Sequence, residues 1–148
     1  MLEVAPLQPT VRFRRARPEA RLGGMGNMEQ LEAIALALPE SIRVDIERWD
    51  GEPTFRVRTK NFVFTDRDAS GISVKLPKDE AAAVVASVPG AEPTGYGLGR
   101  HGWVSIDLGA APDWVQVTEW VRTSYMMVAP PALSRRVQEE DGIVGPDR

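Results

Sequence analysis

The chain holds one histidine, and it stands in Gly99-Arg100-His101-Gly102-Trp103-Val104-Ser105-Ile106-Asp107-Leu108. Val104, Ile106 and Leu108 alternate with Trp103, Ser105 and Asp107, which is the two-residue period of a strand. An imidazole, a hydroxyl and a carboxylate are the groups of nucleophilic catalysis. Same-face neighbours along a strand, however, stand about 7 Å apart, too far for a direct proton relay. There is also no Gly-x-Ser-x-Gly turn to present a nucleophile. His101 is therefore read as a hydrogen-bonding surface residue, and no catalytic residue is assigned.

A second set of side chains is cationic. Arg56, Arg58 and Lys75 share outward parity on their strands with Ser105, Trp103 and His101. Lys60 stands at a hairpin tip, and Arg100 precedes His101. Arginine and lysine mixed with an aromatic suit phosphate contact with base stacking. The plainer reading of the same residues is a solvated sheet face, with Trp103 capping an edge of the core.

Other groupings carry less. Asp45 and Glu47 share a strand face, and Asp66-Arg67-Asp68-Ala69-Ser70-Gly71 is an acidic turn. That turn lacks the closing glutamate of a calcium loop and runs into a strand. Gly95, Gly97 and Gly99 precede a strand rather than a helix, which excludes a Rossmann or P-loop phosphate cradle. With no cysteine and one histidine, the usual zinc sites are nearly excluded. No cofactor or metal is expected. Tryptophans such as Trp114 and Trp120 could mark a partner face, although core packing is favoured for Trp114.

Those residues need a scaffold. At 148 residues, 43% hydrophobic and 26% charged, the chain is long enough for one domain with a real core. No stretch reaches membrane-span length. The absence of cysteine suits the cytoplasm. Net charge is −3, unevenly spread: residues 1–24 carry five arginines against Glu3 and Glu19, giving +3, and the remaining 13 basic and 19 acidic residues give −6. A body of −6 does not advertise a non-specific nucleic-acid binder, but a local basic face remains open to it.

Residues 1–24 have no period and read as a disordered basic leader or a mis-assigned start. Asn27 is read as an N-cap with Gln30 completing a capping-box variant; Leu31, Ile34, Ala35 and Leu38 then mark an amphipathic helix that Pro39 stops. Ser41–Trp49, Thr54–Arg58, Phe62–Phe64 and Ile72–Leu76 read as strands joined by short turns, hence antiparallel. Pro77–Val88 reads as a helix with Ala81, Val84, Val85 and Val88 buried. Residues 91–99 read as an edge segment or mobile loop beside the 103–108 strand. Pro112 opens a third helix, with Trp114, Val117, Val121 and Ser124 on one stripe. Leu133 and Val137 mark a short last helix bearing Arg135 and Arg136, and the chain frays from Glu139. The expected fold is α+β, a two-layer domain with helices on one face of an antiparallel sheet, order α-β(3-4)-α-β(2)-α. Residues 25–140 form the domain and 141–148 a frayed tail.

Taken in order, Trp49-Asp50-Gly51-Glu52-Pro53-Thr54-Phe55-Arg56-Val57, Lys60, Val74-Lys75-Leu76, His101-Gly102-Trp103-Val104 and Asp107-Leu108 resemble the MmcQ/YjbR-like family over about residues 28–128. The helix Leu31–Pro39 looks like that family's start. The resemblance implies a small α+β domain similar to secretion-chaperone and frataxin-like arrangements. It also implies a DNA-binding label with a double-wing motif, and it brings no catalytic residues. Positions matching the family's recurrent residues are Trp49, Arg56, Lys60, Lys75, His101 and Trp103. The chain departs at Thr59-Lys60, where Gly-Lys is usual. The resulting expectation is a non-enzymatic DNA-binding or DNA-associated module using Arg56, Arg58, Lys60, Lys75, Arg100, His101 and Trp103. The alternative is a protein- or small-ligand-binding domain on the same sheet face, in a monomer or weak dimer.

Overall fold

A computed structural model describes residues 26–47 and 51–144. In chain order the elements are α1 (Asn27–Leu36), β1 (Ser41–Ile46), β2 (Glu52–Val57), β3 (Lys60–Thr65), β4 (Gly71–Lys75), α2 (Lys78–Ser87), β5 (Ala91–Pro93), a 3₁₀ turn (Leu98–His101), β6 (Trp103–Asp107), α3 (Trp114–Val128) and α4 (Pro131–Val144). The six strands form one antiparallel sheet in the order β1-β2-β3-β4-β6-β5. The expected two-layer α+β fold is present, with α3 over β3 and β4 and α2 over β5 and β6.

One local device sets the sheet's inner face. The β2–β3 register runs Phe55↔Val63 and then Arg56↔Asn61, so Phe62 is an extra residue on β3. Such a bulge lets neighbouring side chains turn toward one face. Phe62 and Val63 are both fully buried, as are Phe55 and Val57. Phe62 meets Tyr125 of α3 edge-on, with ring centroids 5.2 Å apart. Burial pushes the Tyr125 hydroxyl's pKa up, and that hydroxyl donates to the Pro39 carbonyl at 2.6 Å.

Several expectations change. Asn27 is the first residue of α1 rather than its cap; its Nδ2 donates to the Ala69 and Gly109 carbonyls at 3.0 and 3.1 Å. It is more useful tying two loops together, because the cap position falls on Gly26, whose N–H donates to Glu29. β1 ends at Ile46, and Trp49 and Asp50 lie outside the described residues, as does the leader. β3 begins at Lys60, two residues before the expected Phe62. The last helix is not short: α4 runs for 14 residues to Val144, through the segment expected to fray. Leu133 and Val137 are both buried, so α4 starts against α3 and then runs on past that buried pair.

Candidate functional site

The strand order gathers the cations. Val57↔Lys60, Lys75↔Trp103 and Pro93↔Val104 are register pairs at one end of the sheet. Every cationic residue of the expected site lies there. Arg56, Arg58 and Lys60 occupy the β2–β3 hairpin, Lys75 ends β4, and Arg100 and His101 precede β6. The same strands put Glu47, Glu52, Asp66, Asp68 and Asp107 at the other end, where the β1–β2 and β3–β4 connections fall. Antiparallel pairing thus turns a scattered sequence into a charge axis. Roughly 15 Å of strand separates the ends, more than the ~8 Å over which salt screens charge at physiological strength. Glu40, Asp79 and Glu80 also stand at the basic end, so its cationic excess is partial, while the carboxylates of the far end lie beyond screening range of it.

Each cation is positioned by its own neighbours. Arg56 is half-buried on the sheet face away from the helices, and its Nε donates to Asn61 Oδ1 at 2.7 Å. Arg58 turns outward at φ +59° and makes a two-point pair with Glu40, Nε to Oε1 at 2.6 Å and Nη2 to Oε2 at 3.4 Å. That hydrogen bond holds the Glu40 carboxyl below its ordinary range. Because Arg58 takes the left-handed position, Thr59 needs no glycine, which explains the departure from Gly-Lys. Lys60 is exposed at the tip.

Lys75 is held through its backbone. The β3–β4 ladder pairs Phe64↔Ser73 and Thr65↔Ile72, and no pair follows toward Lys75. Ser124 of α3 fills the gap: its Oγ donates to the Phe62 carbonyl at 2.7 Å and accepts from the Lys75 N–H at 2.8 Å. A helix hydroxyl thus bridges two strands where the bulge has parted them. On the other side, Leu76 N–H donates to the Gly102 carbonyl at 2.9 Å, continuing the β4–β6 ladder. Gly102 has φ +93°, and a Cβ there would come within 2.2 Å of the Leu76 carbonyl oxygen. Only glycine fits at this crossing.

Trp103 departs from the expectation of an outward stacking ring. It is on the face away from the helices, as parity requires, but only 8% exposed, with its ring centroid 5.2 Å from that of Phe64. Beside it Ser105 Oγ lies 2.8 Å from Ser73 Oγ and 2.9 Å from Thr94 Oγ1, a buried hydroxyl row across β4, β6 and the residue that follows β5. Ser105 is thereby committed to the fold, and His101 is exposed on the 3₁₀ turn, so His101, Ser105 and Asp107 do not assemble. The open part of this face is toward β1, where Ile42, Val44 and Ile46 share a side with Arg56 and Thr54 by register, and Ile42 is 51% exposed.

The acidic turn is structural. Asp66 Oδ1 accepts from the Asp68 and Ser70 N–H groups at 3.1 and 2.9 Å, and Asp66 also accepts from the Ser70 hydroxyl. Its carboxylate closes a turn in which Ala69 takes φ +53°. Among the described residues no cluster of histidine and carboxylates is set to hold a metal, and no helix is long and apolar enough to cross a membrane.

Sequence reading missed Lys78, Glu40 and Asn61. Lys78 opens α2 at the basic end, exposed beside Arg100's turn. Glu40 lies between α1 and β1, and only the three-dimensional turn brings it to Arg58. Asn61 would have been found from hairpin register had the bulge been recognised.

The sequence model of YjbR matches residues 36–127 of the chain. The crystal structure of Deinococcus radiodurans protein DR2400, a DUF419 domain, is similar in fold. It is 25% identical, with a TM-score of 0.57 over 70% of this chain and 79% of that one. No curated protein matches in sequence.

Proposed function

The chain belongs to the YjbR family, and we propose that it is a non-catalytic module that binds DNA through the basic end of its sheet. The observation that carries this reading is the charge axis. Arg56, Arg58, Lys60, Lys75, Lys78 and Arg100 share one end and outnumber Glu40, Asp79 and Glu80 there, while Glu47, Glu52, Asp66, Asp68 and Asp107 fall at the other. Two projecting segments supply most of the cations, the β2–β3 hairpin and the 94–102 loop, with β4 between them. Contact is to phosphate, where arginine and lysine act without reading sequence. Trp103 stiffens the base of the second segment through Phe64, and His101 offers a hydrogen bond at its rim. A second reading, a protein-binding face, is supported by the half-open apolar row of Ile42, Val44 and Ile46 on β1.

Fluorescence anisotropy of a labelled 20-base-pair duplex and its single strand, titrated with the full chain over a salt series, tests the reading. A variant with the five leader arginines changed to glutamine separates the leader from the body. Binding by that variant, falling with salt and lost on Arg56→Ala with Lys75→Ala, is the expected result. Binding that disappears with the leader arginines assigns it to the leader. No binding at low salt removes the DNA reading and leaves the β1 face.

A further inference from the structure

The mouth between α2 and the 99–104 segment forms a groove of about 460 Å³, within the ~300–1,000 Å³ span of small-ligand sites. Its wall on α2 is Ala82, Val85 and Ala86; its opposite wall is Pro93 and Gly99. Trp103 also lines it, and the only charged residues among the described ones that do so are Lys78 and Arg100, both exposed at the rim. Among the described residues neither makes an ion pair.

The groove is kept open by small residues that the backbone requires. A Cβ on Gly99 would lie 2.7 Å from Pro93 Cβ, and Gly102 cannot carry one. Ala82 and Ala86 are exposed on the facing helix and leave the space between unfilled. The Arg100 guanidinium lies against its own turn: its Nη2 is 3.0 Å from where a Cβ on Gly97 would stand, and Gly97 sits at φ +79°. An apolar trough with two cations at its lip is complementary to one chemistry, an apolar body with a single negative head. A basic peptide such as the arginine-bearing leader is excluded by sign.

We propose that this groove binds a small amphipathic carboxylate, with its hydrocarbon or aromatic body between α2 and Pro93–Gly99 and its carboxylate on Lys78 and Arg100. The site is separate from the duplex reading in its apolar walls and shares only its cationic rim with it, so either can fail alone.

Amide chemical shifts of the ¹⁵N-labelled full chain, titrated with decanoate, decanol and decyltrimethylammonium below micelle formation, test it. Decanoate is expected to move the amides of Ala82, Ala86, Gly99 and Gly102, and to bind about tenfold more tightly than decanol, as two charge-assisted contacts require. The cation is expected to bind more weakly than either. Lys78→Gln with Arg100→Gln should erase the preference for decanoate over decanol, and Ala86→Phe should abolish binding of both while keeping the dispersed spectrum of the fold. Equal affinity for decanoate and decanol, shifts elsewhere in the chain, or binding that survives Ala86→Phe overturns the proposal. Absence of binding by decanoate, or binding of an acidic peptide alone, overturns it as well.

Discussion

The two ends of the sheet are built from the same strands and do opposite things. At one end the connections are tight carboxylate-closed turns: Asp66 gathers the 68–70 backbone, and Asp113 caps α3 by accepting from the Gln116 N–H. There the charges are spent on holding the chain. At the other end the cations hold little. Lys60, Lys78, Arg100 and His101 stand exposed, and the structure beneath them is secured by neutral groups: the Ser124 bridge, the Ser73–Ser105–Thr94 row and the Gly102 crossing. The difference teaches that charge at the basic end is not required for the fold. At Lys60, Lys78 and Arg100 it is left free of structural bonds among the described residues, whereas Asp66 and Asp113 at the acidic end are part of the scaffold.

That contrast can be broken by substitution. The largest effect is expected from Lys60→Glu, Lys75→Glu and Arg100→Glu together. Duplex affinity should fall more than ~100-fold at low salt, while thermal stability changes little. Glu47→Lys, at the far end, should change affinity less than about twofold, since it lies beyond a screening length. Anisotropy and thermal melts on the same samples check both.

Gly102→Ala should show the reverse. The steric conflict with Leu76 and the positive φ together cost about 3 kcal/mol or more, and the melting temperature should drop by roughly 10 °C. Ser124→Ala leaves the Phe62 carbonyl and the Lys75 N–H without their partner inside the fold, at a cost of about 2–3 kcal/mol read by denaturant unfolding.

A modest effect sharpens the comparison. Glu40 is the carboxylate that occupies a cation at the basic end. Glu40→Gln releases Arg58, and duplex affinity should rise a few-fold. In the parent chain the Arg58 hydrogen bond lowers the Glu40 pKa below its ordinary value. A lowered carboxyl pKa means the pairing is intact above the ordinary value and lost only as pH falls through the lowered one. The affinity gain of Glu40→Gln should therefore be constant across neutral pH and vanish in acid.

Strands and helices were legible where periodicity was unbroken. Ile72–Leu76, the 103–108 strand and the stripe of α3 all read from one face of alternating or helical spacing. What was not legible came from tertiary partners. The bulge at Phe62 hides two consecutive core residues from a two-residue period. Asn27 looks like a cap because asparagine caps helices, yet Ala69 and Gly109, far along the chain, claim its side chain. Trp103 reads as outward by parity and is outward, but parity cannot see Phe64 beside it. The cations of the site were named from sequence, but their meeting at one end depends on strand order, which β6 decides by pairing between β4 and β5.

Amide chemical-shift mapping of the labelled full chain on titration with a 20-base-pair duplex tests the charge axis most directly. Shifts concentrated at 56–60, 75–78 and 96–103, with 51–52, 66–70 and 107–113 unmoved, are the predicted result. Shifts centred on the acidic turns or on β1, or a spectrum that the duplex leaves unchanged at low salt, would contradict it.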